Sequence, residues 1–259
     1  MASSPAAKGL THLGETQRRD AWVAEILPVM ILFGGFAIYA TLRAFEGKYY
    51  QAWPYLSPFY SPLIDPNHHW LPRWLSPALL ILAAPLGFRT TCYYYRKAYY
   101  RAFFLDPPAC AVSEPAGRKY QGETAFPFIL QNIHRYFLYL AILFLVFLWI
   151  DAFEAFFFRG RLGTLDFGVG LGSLIMLANV TLLTLYTFSC HSLRHLAGGK
   201  LNCFSCTKFG PPRHNAWSFL SVLNERHMLF AWASLLSVGF TDFYIRCVAS
   251  GLFKDIRLL

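Results

Sequence analysis

Charge is what this chain has least of. Charged residues make up 14% of it, against about 25% in ordinary soluble domains, and its 14 acids face 23 Lys and Arg. That shortage excludes a fold wetted on every side: 56% of the residues are hydrophobic and the mean hydropathy is +0.37. The net charge of +9 raises the question of nucleic acid. In a charge-poor, aromatic-rich chain, however, Lys and Arg gather in the loops that flank membrane spans, so the expected partner is the lipid bilayer and no nucleic acid. The first twenty residues lack an apolar run, and no cleaved signal peptide is expected. Arg18-Arg19 lacks the rest of a twin-arginine pattern and reads as a basic anchor before the first span. With no internal repeat and no low-complexity tract, residues 1–259 read as a single membrane-anchor domain.

Long apolar runs, by contrast, are abundant. Crossing the hydrocarbon takes roughly 20 mostly apolar helical residues. Five stretches qualify, near 21–43, 76–95, 134–158, 166–191 and 217–250. The fold class expected is all-α, an integral membrane bundle of about five transmembrane helices. The second stretch is the weakest, with Pro85 and Arg89 inside it. The fifth exceeds one span, so Trp217 to His227 is expected to stand in the interface, with the apolar part starting near Met228.

Basic residues orient the bundle. Five spans put the N-terminus and the 96–131 and 192–216 loops on one side. That side carries Lys8, Arg18, Arg19, Arg96, Lys97, Arg101, Arg118, Lys119, Arg194, Lys200, Lys208 and Arg213, twelve in all. The other side has Lys48, Arg73, Arg159, Arg161, Lys254 and Arg257, six in all. A cytoplasmic N-terminus and a cytoplasmic 192–216 loop are therefore expected.

Chemistry concentrates in that loop. The segment CHSLRHLAGGKLNCFSC holds Cys190, His191, His195, Cys203 and Cys206, while Cys92, Cys110 and Cys247 are scattered. His191 and His195 are four apart at a helix end, so both imidazoles share a face and can reach one metal. Ala197-Gly198-Gly199 ends the helix and lets the chain fold back. Cys203-Phe204-Ser205-Cys206 is a CxxC knuckle able to put two thiolates on one metal. Two thiolates and two imidazoles suit a tetrahedral structural zinc and equally a Rieske-type [2Fe–2S] centre; spacing does not separate the two. A redox disulfide is disfavoured on the cytoplasmic side, where thiols stay reduced. Cys190, next to His191, is held in reserve as a ligand; it points about 100° away on the helix.

Other polar residues have ordinary readings. His134 and Arg135 open the third span at the interface. Asp151 and Glu154 near its outer end are expected to be solvated, as are His68 and His69 in a Pro-rich loop. Asp242 lies deep in the fifth span and calls for a partner, Arg246 one turn on or a proton route.

The segment TFSCHSLRHLAGG resembles the helix end of succinate dehydrogenase membrane anchors, in which a haem-ligating histidine precedes the His of an R-H-L by seven residues. Here that place is Phe188, so no b haem is expected at the usual position. RRDAWVAEILPVMILFGGFAIYATLRAF, YLSPFYSP, NIHRYFLYLA and CHSLRH…CFSC extend the likeness, most specifically to the actinobacterial-type five-helix anchor, over most of the chain. Anchors of this subgroup are similar to ones that carry a membrane-embedded Rieske-type cluster in place of haem.

The resemblance implies a role as the electron-transfer and quinone-binding subunit of succinate:quinone oxidoreductase in the bacterial cell membrane. The succinate-oxidising flavoprotein subunit and an iron–sulfur subunit are the implied partners, docked on the cytoplasmic face. The implied cofactors are a [2Fe–2S] cluster on His191, His195, Cys203 and Cys206, and a quinone. The quinone is expected beside the cluster at the bilayer edge, held by Trp217, Ser221 and His227 on one stripe, completed by His134 and Arg135. Two other readings stand beside this one: a quinone-coupled thiol oxidoreductase using CxxC directly, and a membrane scaffold with a structural zinc.

Overall fold

The computed structural model describes residues 21–64, 76–103, 133–160, 163–199 and 201–259. Lys8, Arg18, Arg19, His68, His69, Arg73, Cys110, Arg118, Lys119, Arg161 and Lys200, which entered the reading of the sequence, lie outside the described residues.

Among the described residues, four helices are long and apolar enough to cross a membrane: α1 (Trp22–Glu46), α4 (His134–Glu154), α5 (Leu171–Phe188) and α8 (His227–Ala249). Between α1 and α4 stand a hairpin of β1 (Gln51–Ala52) and β2 (Tyr55–Leu56), a 3-10 turn at Pro58–Tyr60, α2 (Pro77–Thr91) and α3 (Tyr93–Phe103). A second hairpin, β3 (Phe157–Arg159) with β4 (Leu165–Phe167), joins α4 to α5. After α5 come a four-residue helix α6 (His191–Arg194), a π-helical turn at His195–Gly199, and α7 (Gly210–Glu225), which leads into α8.

Four of the five spans expected from the sequence are present with altered ends, and the second is a shorter apolar helix. The second is shorter than the 76–95 reading: Ser76 accepts from Ala78 N, Pro77 follows at the first helical position, and α2 stops at Thr91 after 15 residues. That is about 22 Å of helix, less than a full hydrocarbon crossing. The stretch 217–250 is two helices, broken at Arg226. The tail of 134–158 and the head of 166–191 are the strands β3 and β4, because Gly160 and Gly163 turn the chain into a hairpin there.

Apolar side chains face outward and polar ones inward, as a lipid solvent demands. Ile31, Ile38 and Leu42 of α1 are each more than 60% exposed, while Ser57, Ser173, Ser189, Ser234 and Asp242 are fully buried. Small residues let the helices close. A Cβ at Gly87 would stand 2.2 Å from Phe137 Cε1, so α2 meets α4 at a spot only glycine permits. The core has three parts: one around Phe88, Tyr95, Leu138 and Tyr186, one around Tyr55, Leu145 and Met176, and one around Phe59, Tyr60 and Val238.

Two carboxylates tie the end of the bundle opposite α6. Asp242 accepts from Tyr39 Oη (2.6 Å), from Arg246 Nε (2.8 Å) and from Ser57 Oγ, and Arg246 continues to Glu46 (3.0 Å) and Lys48 O (2.6 Å). The partner expected for Asp242 is therefore Arg246. Asp255 accepts from Tyr55 Oη (2.6 Å), Tyr244 Oη (2.5 Å) and Gly172 N (3.0 Å), which clamps the C-terminal segment against α5. Asp151, expected in solvent, instead accepts from Ser61 Oγ, because the loop after the 3-10 turn folds over the end of α4.

Candidate cysteine and histidine site

The site is built on the end of α5. Ser189 N still bonds Leu185 O, but Cys190 is extended, and its Sγ accepts from Ser192 N at 3.4 Å to start α6. His191 and His195 therefore sit on a separate short helix, not on the end of the span as expected. His191 is exposed; His195 is half-buried, and its Nδ1 accepts from Arg135 Nη2 at 3.0 Å. The π-helical turn then closes under two aromatics: a Cβ at Gly198 would stand 2.7 Å from Phe204 Cζ and 2.9 Å from Trp217 Cγ. Arg213 Nε holds the same turn through Ala197 O at 2.9 Å. Phe204 thus brings the CFSC knuckle back against the helix, as the glycines suggested.

In that knuckle Cys203 and Cys206 are joined by a disulfide, contrary to the expectation of reduced thiols. The tight turn places their Cα atoms 5.4 Å apart, well within disulfide reach. Among the described residues, no three His, Cys, Asp or Glu side chains ring a single metal position.

A second group of soft donors lies deeper. Cys190 is 1% exposed, and its Sγ is 3.1 Å from His134 Nε2. It is thus buried against α4 instead of standing clear of the site. Cys92, just past α2 and 3% exposed, has its Sγ 3.4 Å from Nε2 of His227, itself 8% exposed. Thr91 Oγ1 lies 2.8 Å from His134 Nδ1, and Ser189 Oγ 2.7 Å from His227 Nδ1. Phe88 stacks on His134 (4.7 Å), Tyr186 stacks on His227 (5.2 Å), and the two aromatics meet edge to face at 5.4 Å. The Tyr186 hydroxyl is buried with no hydrogen-bond partner among the described residues. Arg89, three residues before Cys92, spreads over the Tyr186 ring (4.7 Å) and donates to Ser234 Oγ (3.1 Å) and Tyr95 Oη.

The residues expected around quinone fall into two places. Trp217 and Ser221 share a face of α7: Ser221 donates to Trp217 O (2.7 Å), and Arg194 donates to Ser221 Oγ (2.8 Å) while lying 5.2 Å over the Trp217 ring. Asn224, on the same stripe, donates to Ser189 O (2.6 Å). The stripe does not continue to His227, because the helix breaks at Arg226 and His227 turns into the core. His134 is likewise committed to Thr91 and Cys190, while Arg135, half-buried, stands beside His195. At the opposite end a cavity of about 170 Å³ is lined by Trp53, Pro54, Phe147, Ile150, Asp151 and Glu154.

Reading by sequence proximity missed Cys92, which looked isolated. Its signal was positional: Cys92, His134, Cys190 and His227 each stand where an apolar run ends or begins on the same side.

A multi-pass helical membrane protein with a cysteine and histidine group at one end of its bundle is what these features define. The model of one family, the actinobacterial succinate dehydrogenase subunit SdhC, matches residues 24–251. The chain belongs to that family and is a subunit of succinate:quinone oxidoreductase. It is similar to a chain of the Mycobacterium smegmatis Sdh1 complex in the apo form, with 45% sequence identity, 99% of this chain and 98% of that chain covered, and a TM-score of 0.82. No curated protein sequence matches significantly.

Proposed function

We propose that the chain anchors succinate dehydrogenase in the bacterial cell membrane, receives electrons on its cytoplasmic side and delivers them to quinone. The observation that carries this is the 45% identity, over 99% of the chain, to a chain of an Sdh1 complex. On this reading a flavoprotein subunit oxidises succinate and an iron–sulfur subunit hands electrons to the anchor. The α6 end, with Arg194, Lys208 and Arg213, is the cytoplasmic one, following the excess of Lys and Arg.

The carrier proposed within the anchor is a Rieske-type [2Fe–2S] cluster, and no b haem at Phe188. Such a cluster, when bound, supplies a one-electron carrier whose potential is raised by imidazole ligation. The loop residues His191, His195, Cys203 and Cys206 do not fit it as they stand. The two sulfurs are bonded to each other, and the His195 Nδ1 lone pair is taken by Arg135. No electron step is assigned to that set.

Trp217, Ser221 and Arg135 remain the proposed quinone contacts. The indole offers an apolar wall, and the hydroxyl and guanidinium offer donors for the carbonyl oxygens. His134 and His227 face the buried Cys190 and Cys92 instead.

Iron, acid-labile sulfide and quinone reductase activity measured on the purified complex test the reading. The complex should hold two irons and two sulfides more than its partner subunits do when detached from the anchor. A complex with no such excess refutes the cluster, and one that reduces soluble acceptors but never quinone refutes the anchor's role in delivery.

A further inference from the structure

At the end of the bundle opposite α6, the cavity of about 170 Å³ is lined by apolar side chains and two carboxylates. We propose that it holds the headgroup of a phospholipid bearing a primary amine, with an acyl chain lying along α4.

The end of α4 supplies the charge. Asp151 and Glu154 stand three residues apart there, so their side chains are neighbours on the helix. One Asp151 oxygen accepts from Ser61 Oγ, and the other has no partner among the described residues. The Glu154 carboxylate is exposed and makes no ion pair or hydrogen bond among the described residues. Trp53, Leu63 and Ile150 form apolar walls and are each partly open to the outside, at 47%, 49% and 47% exposure. The Arg159 guanidinium lies 5.1 Å from the centre of the Trp53 ring, so a cation stands on the indole that walls the cavity.

The lining selects the occupant. Ionised carboxylates only accept hydrogen bonds, so the ligand has to bring donors and positive charge. A quinone, whose carbonyls also only accept, is the wrong match. A hard divalent cation takes about six or more oxygens, whereas Trp53, Leu63, Phe147 and Ile150 present carbon. A primary ammonium brings its N–H donors and its charge on one centre, enough for both carboxylates. The helix surface beside the cavity shows that the amine belongs to a lipid. Leu143, Phe147, Ile150 and Glu154 recur at the spacing of one helix face, and Leu143 is 50% exposed like Ile150 beyond it. That stripe runs for about 16 Å, roughly one leaflet of a hydrocarbon core ~30 Å thick. A carboxylate therefore caps an apolar, outward-facing stripe at the end of a span, where headgroups lie. The lipid phosphate, joined to the amine by a short link, takes the Arg159 guanidinium across Trp53 as its partner.

The whole purified complex, stripped of lipid by detergent exchange, tests this. Phosphatidylethanolamine, phosphatidylcholine or phosphatidylglycerol is added back, and retention is read by native mass spectrometry alongside the thermal midpoint. Phosphatidylethanolamine should be retained best and raise the midpoint most, because the methylated amine of phosphatidylcholine has no N–H and phosphatidylglycerol has no cation. Glu154→Gln should weaken that retention about tenfold, the worth of one hydrogen bond to a charged group. It breaks no contact among the described residues, so it also guards against misfolding. Asp151→Asn should act in the same direction. Equal retention of the three lipids, or an unaltered preference in Glu154→Gln, overturns the amine site. Displacement of the lipid by free ethanolamine at equal concentration overturns the part given to the acyl chain, and displacement by magnesium ions overturns the ammonium in favour of a metal.

Discussion

Arg246 provides a quantitative handle on how this bundle holds itself together at the end opposite α6. Its Nε meets the fully buried Asp242 at 2.8 Å, and its remaining nitrogens reach Glu46, Lys48 O and Arg43 O. Replacing Arg246 by Met keeps the volume and removes the cation, leaving Asp242 with only the hydroxyls of Tyr39 and Ser57. Breaking a buried pair from one side costs about 3–5 kcal/mol. The Glu46 contact adds little, because that side chain is 30% exposed and water screens it. At roughly 2–4 °C per kcal/mol for a chain of this size, the midpoint of thermal unfolding should fall by roughly 6–20 °C. The double variant Asp242→Leu/Arg246→Met removes both charges and should recover most of that loss, short of the share owed to the Lys48 and Arg43 carbonyls. Thermal scans of the purified complex, with the unsubstituted protein and both variants in one detergent, make the comparison. An Arg246→Met midpoint within about 2 °C of the unsubstituted protein, well below the expected fall, would refute the reasoning, as would a double variant less stable than the single.

Gly170→Ala should destabilise the protein by about 1–3 kcal/mol, because the added Cβ would stand 2.2 Å from Tyr55 Oη and 2.3 Å from Asp255 Oδ2; an unchanged thermal midpoint would count against the packing described. Asp255→Ala should loosen the C-terminal segment, seen as faster proteolysis after residue 249, since it releases Tyr55, Tyr244 and Gly172 N together. Gly198→Ala should push Phe204 and Trp217 off the π-helical turn, read as a shifted tryptophan emission and easier cleavage between 200 and 209. Trp217→Ala and Ser221→Ala should raise the KM for quinone while succinate oxidation with a soluble acceptor is unchanged; quinone kinetics left intact in both would move the site elsewhere.

The membrane class and four of the five expected apolar spans were legible in the chain itself. Hydrocarbon thickness and charge distribution act on composition and run length, which need no tertiary information. The pairing of Asp242 with Arg246 was legible too, because one helical turn separates them and a charge at that depth requires a partner. The ends of the spans were less so: Pro77 at the head of α2 and the break at Arg226 depend on local capping and on what the neighbouring helix offers. The site itself divided along the same line. His191, His195, Cys203 and Cys206 stood out because they are neighbours in sequence, and a knuckle of four residues can be read without a fold. Cys92, His134, Cys190 and His227 are 135 residues apart from first to last, and only the packing of α2, α4, α5 and α8 brings them together. Proximity along a chain is local geometry, whereas a site made from four helix ends exists only once the helices have packed, and that is where tertiary structure decided what sequence could not.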